Sequence, residues 1–282
     1  MNYRTHIASS LAEVGQAAWD ALAASQDRPN PFLSFAFLHA LHESGSASKA
    51  TGWDPHFICL YDGDTLAGAM PLYLKWHSYG EYVFDWAWAD AYQRHGYDYY
   101  PKLLSAIPFT PVTGPRLLAR DAHARAALAD ALVALQDALQ ASSTHVLYPP
   151  PEHAPLLQEA GFMLRSGVQF HWLNRDYRDF ADFLATLERK KAKNIRAERR
   201  HVAAAGIEMQ RIRGADASDD DWRFFHACYV ATYRAHHSTP YLNLDFFRRI
   251  GREMPSNILL VVARRAGRPI ASSLVIHSAD AL

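Results

Sequence analysis

One short span limits the possible architectures more than any other: HFICLYDGDTLAGAMPLYLK, residues 56–75. Two apolar runs flank Asp62-Gly63-Asp64, and a glycine between two turn-forming acids is a strong short-range signal for an antiparallel hairpin. Around it, helical and extended segments alternate. Leu11, Val14, Ala18 and Leu22 fall on one face of a helix over 11–25. Ser34 is placed to cap a second helix, FAFLHALHESG, that Gly45 ends. After the hairpin, PFTPVTGPRLL (108–118) reads as extended, and Asp121 is placed to cap a long Ala/Leu-rich helix over 122–140. THVLYPP is a strand, APLLQEAG a short helix closed by Gly161, and FMLRSGVQFHWLNR (162–175) a second hairpin.

The order then restarts. IEMQRIRG is strand-like, DDDWRFFHACYVATYRAHH is an aromatic amphipathic helix led by Asp219–Asp221, and LDFFRRIGREM is a shorter helix. NILLVVARRAGRPIASSLVIHS is a hairpin turning at Gly267. Repetition of architecture without repetition of sequence predicts two related α/β units. The division expected is a first unit over 1–174, a basic helical connector over 175–206, and a partial second unit over 207–282. The second unit stops where the repeat calls for its next strand and long helix, so it is either a half-domain completed by a partner or a truncated polypeptide, and truncation is the expectation.

Composition narrows the functional classes. Lys plus Arg equals Asp plus Glu at 29 each, so no global field draws the chain to nucleic acid or anionic membrane. Only Cys59 and Cys228 are present, which excludes a disulfide framework and favours a reducing compartment. The N-terminus lacks the apolar centre of a signal peptide, and the longest apolar run, ILLVVA (258–263), is too short to span a bilayer. A soluble, cytoplasmic protein is expected. The histidines show no ligand spacing with cysteine or carboxylate, so no metal is expected.

The stretch from Tyr73 to Tyr100 is unusual: eleven of its twenty-eight residues are aromatic, with Glu81, Asp85, Asp90, Asp98 and His95 among them. A plain core excludes unpaired charge, so the stretch reads as a pocket wall or as a packed interface with polar pins. In the first reading Glu81, Asp85, Asp90 and His95 are candidate bases, and Tyr92, Tyr99 and Tyr100 candidate proton donors. In the second, each acid caps a helix or pairs with Arg94, Lys75 or Lys102. Glu81 and Asp85, four apart, share a face in a helix or in a strand. They are the first pair to test.

Several motifs together carry a family resemblance: GWDPHFICLYDGDTLAGAMPLYLK, SYGEYVFDWAWADAY, YYPKLLSAIPFTPVTGPRLL, FHWLNRDY and FLATLERKKAKNIRAERRHVAAAGI. From about residue 30 to the C-terminus the chain resembles the FemAB-like predicted N-acyltransferases of peptidoglycan biosynthesis, in the GNAT superfamily. The resemblance implies tandem GNAT-like units and members that continue beyond the length of this chain. It also implies an acyl or aminoacyl transfer to an amine by direct attack, with acyl-CoA or aminoacyl-tRNA as donor and a small-molecule or cell-envelope precursor as acceptor, bound between the units. The location matching the GNAT pyrophosphate loop is TPVTGPRLLARDAH, where Gly114, Arg116 and Arg120 are the candidates. The usual glycine-rich loop is missing there, and Pro115 has no N–H to donate. Ser78, Trp86, Trp88, His171 and Asn174 are candidate substrate contacts. In the connector, Arg189, Lys193, Arg196 and Arg200 form one helical stripe that suits an RNA, lipid or nucleotide-sugar phosphate, or is simply a solvated face. The alternative from another class is a degenerate GNAT-fold binding or scaffold protein without catalysis, which the missing glycine loop favours.

Overall fold

In the computed structural model, which describes residues 3–282, the Asp62-Gly63-Asp64 turn joins β3 (Phe57–Asp62) to β4 (Thr65–Met70). Asp62 pairs with Thr65, and Gly63 holds φ +59°, a left-handed conformation that glycine adopts without strain. The hairpin sits inside a four-stranded sheet of order β1-β3-β4-β7, with β1 (Arg4–Ala8) on one edge and β7 (Leu118–Ala119) on the other. The apolar run continues past the hairpin but not in the same sheet. Pro71 interrupts it, and β5 (Tyr73–Lys75) joins β2 (Trp53–Pro55), β6 (Lys102–Ser105) and β8 (Thr144–Val146) in a second sheet of order β2-β5-β6-β8. A third sheet, β11-β10-β9, holds β9 (Ile207–Arg213), β10 (Ile258–Arg265) and β11 (Arg268–Ile276). The architecture is a mixed α/β one.

Helices cover these sheets. Ser10 caps α1 (Leu11–Val14), and Gly15, at φ +83°, separates it from α2 (Gln16–Ala24), so the helix expected over 11–25 is two pieces. Ser34 caps α3 (Phe35–Glu43) and Asp121 caps α5 (Ala122–Leu139), both as expected from their sequence positions. Ala124, Leu128, Ala129 and Leu132 form the buried face of α5. A Cβ at Gly68 on β4 would stand 3.3 Å from Leu128, so the close approach of α5 needs a glycine there. Between β5 and β6 lies α4 (Trp86–Arg94), which has no buried residue. After β8 come α6 (Ala154–Glu159), α7 (Phe180–Ala185) and the basic α8 (Arg189–Ala204). In the second unit α9 (Asp219–Ala235) is capped by Ser218, with the three aspartates filling its first turn, and α10 (Leu244–Glu253) follows. Phe225 of α9 meets Phe247 of α10 edge-on, and Phe246 meets Phe37 of α3 the same way. One continuous core therefore runs from the first helices into the second unit.

The hairpin expected over 162–175 does not form. Those residues run as a strap without a strand partner; Phe162 packs against the core, and the apolar side chains after it face outward. A two-stranded ribbon with no third strand or helix to cover it is marginal in water, whatever its pattern.

Candidate functional site

The aromatic stretch is inside-out. Many of its rings are on the surface, and two of its acids are in the interior. Trp76, Tyr79, Phe84, Trp88 and Tyr97 are more than half exposed and Trp86 nearly so, whereas Glu81 and Asp85 are 4% and 2% exposed. The reason lies in the sheet beneath. Lys75 of β5 and Lys102 of β6 face each other across the ladder, and both are fully buried. Two cations placed directly opposite repel, so the pair requires buried anions. The loop between β5 and α4 supplies them.

Lys102 Nζ donates to Glu81 Oε2 at 2.9 Å, to Ser78 Oγ at 2.8 Å and, in a shorter contact, to Asp85 Oδ2. The same Asp85 oxygen accepts from Ser78 Oγ at 3.0 Å and from Tyr99 Oη at 2.8 Å. Tyr100 Oη lies 2.8 Å from Ser78 Oγ, and His145 Nε2 lies 3.3 Å from Tyr99 Oη. Asp85 occupies the N-cap position of α4, but its carboxylate turns away from the helix amides toward the lysine. Lys75 Nζ stands 3.5 Å over the Trp53 ring, with the Tyr79 carbonyl 3.4 Å away. Two carboxylate oxygens, Glu81 Oε1 and Asp85 Oδ1, are buried with no partner.

The two acids are thereby driven apart. Burial raises the Glu81 carboxyl and outweighs the lysines that lower it. Burial also acts to raise Asp85, but the hydrogen bonds from Lys102, Ser78 and Tyr99 win and hold it below the usual range. Burial pushes the Lys75 ammonium down to about 7 and His145 down to about 4.

A second constellation adjoins the first at Tyr82. Its hydroxyl lies 3.3 Å from that of Tyr233 on α9, and its carbonyl accepts from Tyr148 Oη at 3.0 Å. Phe109 stacks on Tyr241 at 4.9 Å and 9°. Tyr82, Phe109 and Tyr148 hold φ of 58°, 60° and 52°, left-handed values that are strained for bulky residues. Strain of this kind persists only where surrounding structure fixes it, and here it marks the contact of Tyr82 and Phe109 with Tyr233 and Tyr241.

The structure thus brings together five of the sequence candidates: Ser78, Glu81, Asp85, Tyr99 and Tyr100. Ser78, Glu81 and Asp85 come from the connection before α4 and Tyr99 and Tyr100 from the one after it, not from one face of a helix or strand. Others stand apart. Asp90 pairs with Arg94 at 2.9 Å on the exposed side of α4, His95 Nδ1 donates to the Ala91 carbonyl at 2.8 Å, and Tyr92 Oη donates to the Ser142 carbonyl. Trp86 and Trp88 project outward, and His171 and Asn174 lie on the exposed strap. Arg189, Lys193, Arg196 and Arg200 are exposed on α8, which packs on α7 and β9. Tyr82, Tyr148 and His145 were not among the candidates; only the fold places them beside the loop.

The Gly114 loop does not fit a pyrophosphate. The Gly114 N–H donates to the Tyr148 carbonyl, and a Cβ there would lie 2.3 Å from the Asn30 amide nitrogen. Arg116 is fully buried and donates to the Val112 and Gly114 carbonyls, while Arg120 pairs with Asp62 and Asp121. Its amide and cations serve the protein's own carbonyls and carboxylates. Among the described residues there is no cluster of three or more His, Cys, Asp or Glu side chains placed for a metal. No helix among them is long and apolar enough to cross a membrane. An open cavity of about 500 Å³ lies elsewhere, lined by Asp216, Asp220, Asp221 and Arg264 of the second unit.

Comparison with known proteins gives two findings. The solved structure titled "Crystal structure of FemX" is similar at 14% identity and a TM-score of 0.49, over 94% of this chain and 58% of that one. The chain thus spans little more than half the length of that structure. No curated protein matches. A family model described as FemAB-like, peptidoglycan biosynthesis/recognition, matches residues 10–282, and the chain belongs to that family.

Proposed function

We propose that this chain carries the acceptor side of an acyl or aminoacyl transfer onto an amine of a peptidoglycan precursor. The observation that carries the reading is the divergence of Glu81 from Asp85. Each carboxyl bonds Lys102 through one oxygen and keeps the other unpartnered, but burial raises Glu81 above the usual carboxyl range whereas the hydrogen bonds from Lys102, Ser78 and Tyr99 hold Asp85 below it. Carboxylates pushed apart in this way divide the labour of acid–base chemistry. In the reaction the amine nitrogen attacks the carbonyl carbon of an ester, and Glu81 takes the proton that nitrogen loses. When the tetrahedral intermediate collapses, the carbon–oxygen bond breaks and Glu81 returns the proton to the leaving hydroxyl. Asp85, with Tyr99 and Ser78, fixes Lys102 and so positions Glu81. Because Glu81 is buried, the loop over 76–85 lifts when acceptor binds, and the strained Tyr82 is its pivot.

The Gly114 loop's commitments favour an aminoacyl ester of tRNA over a CoA thioester as donor in this part of the molecule. The test is to incubate the chain with mixed aminoacyl-tRNAs and a nucleotide-linked muropeptide and to look by mass spectrometry for addition of one amino acid. Glu81→Gln is expected to lower turnover by about 10²–10⁴-fold, the usual contribution of a general base. Full turnover in Glu81→Gln overturns the base assignment. Calorimetric binding of the muropeptide without any turnover would instead support the binding-protein reading.

A further inference from the structure

The apolar groups that the fold leaves outside are not scattered. The Arg165 guanidinium donates to the Phe84 carbonyl, which lays the strap over 162–174 beside the aromatic loop. Along that strap Met163 is 84% exposed, Val168 82% and Phe170 97%, with Leu164 and Leu173 well above half. Its far end, Trp172, packs edge-on against Phe183 of α7, and Arg199 of α8 lies 4.3 Å over the Phe180 ring of the same helix. Aromatic loop, apolar strap and basic helix are therefore contiguous by contact. Exposed apolar surface of this extent marks an interaction site.

We propose that this face docks on an anionic lipid surface, with the rings and the strap in the headgroup region and α8 over the lipid phosphates. Charge complementarity is one argument. Between Arg189 and Arg200 there are seven Lys or Arg against Glu198 alone, in a chain with no net charge, and Ala192 is the one buried residue of α8. Cations beside an anionic leaflet each add to binding. The composition of the loop is the second. Trp and Tyr, whose rings are apolar with a polar edge, are the residues that favour the membrane–water interface. The third argument separates lipid from RNA: phosphates and bases offer nothing to Met163, Leu164, Val168 and Leu173, whereas the headgroup–acyl boundary accepts aliphatic side chains. The strap's unladdered backbone fixes the depth, because its N–H and C=O groups need water or headgroups and are not accommodated in hydrocarbon.

The experiment is co-sedimentation of the 282-residue chain with vesicles of phosphatidylcholine alone or with about one-third phosphatidylglycerol. Tryptophan emission is followed in parallel. Expected are binding to the anionic vesicles with a blue shift, at least tenfold weaker binding to the neutral ones, and release as salt is raised to about 0.5 M. Lys190→Glu with Lys191→Glu and Lys193→Glu is expected to weaken binding about fivefold or more per position. Phe84→Ser with Phe170→Ser should abolish the blue shift of binding without altering the circular dichroism of the free protein. No binding to either vesicle at about 1 mM lipid overturns the proposal. So does equal binding to both, tRNA binding in place of vesicle binding, or light scattering that shows a dimer whose dissociation exposes this face.

Discussion

Lys102 is the residue on which the loop depends. It neutralises two buried carboxylates at once, so its removal leaves both uncompensated. Lys102→Met is expected to lower stability by about 3–5 kcal/mol in urea unfolding, the usual result of breaking a buried pair by deleting one partner. The triple variant Lys102→Met, Glu81→Gln, Asp85→Asn should recover most of that loss, since no buried charge is then orphaned. Lys75 makes a separate prediction. Its ammonium is depressed from 10.5 to about 7, so between those values the unfolded chain holds a proton that the folded chain has given up. Stability from this group therefore rises with pH from about 7 to 10.5 and is lost as pH falls through 7. Glu81 has the opposite sign. Its raised carboxyl keeps a proton in the folded state just above 4.5, and that advantage is lost as pH rises through its folded value. Together they give a shallow minimum of stability near neutrality, measurable as the urea midpoint across pH 5–9.5. Lys75→Met should flatten the alkaline side and, by removing a cation that lowers the Glu81 carboxyl, carry the acid-side loss to higher pH.

Among the elements, α4 is held differently from every neighbour. With no buried residue, it is held by the Asp85 end of the loop and by Tyr92, whose ring meets Tyr99 and whose hydroxyl reaches the Ser142 carbonyl. Its amides should exchange hydrogen much faster than those of α5, whose Ala124–Leu132 face is in the core. Lys102→Met should accelerate α4 selectively. By contrast Ser34→Ala at the start of α3 should cost about 1 kcal/mol, an ordinary cap loss. These elements also show what a sequence reveals. The β3–β4 hairpin, the caps at Ser34 and Asp121, and the β10–β11 turn at Gly267 were legible because a few adjacent residues dictate each one. The strap over 162–174 carried the same alternating pattern and formed no ladder, because pairing depends on a partner strand that the local pattern does not specify. β1 was missed since RTHIA is too short and polar to signal a strand, and only the edge of β3 recruits it. The acids at 81 and 85 were legible as a pair worth testing, and Lys102 as a partner for them. Their convergence in a loop was not, because it follows from the register that sets Lys75 opposite Lys102.

Across the whole molecule, the N-terminal elements pack directly against α10 and the turn before it. Phe37 meets Phe246, Phe109 stacks on Tyr241, and Asn243 Nδ2 donates to the Ser44 carbonyl. Scanning calorimetry should therefore show one cooperative transition. Phe246→Ala, which empties the centre of that contact, should cost about 3–5 kcal/mol and split the transition into two. Retention of a single transition in that variant would mean that other contacts couple the units.

The positions of the charged quartet in the chain also bear on how the protein is made. Lys75, Glu81, Asp85 and Lys102 lie within one short stretch, more than a hundred residues before Tyr233. During synthesis the quartet leaves the ribosome well ahead of α9, so the loop is tied down before the tyrosine that later meets it has been translated. The residues that hold Tyr82 and Phe109 in their left-handed conformations, Tyr233 and Tyr241, therefore arrive last, and it is their docking that completes the junction.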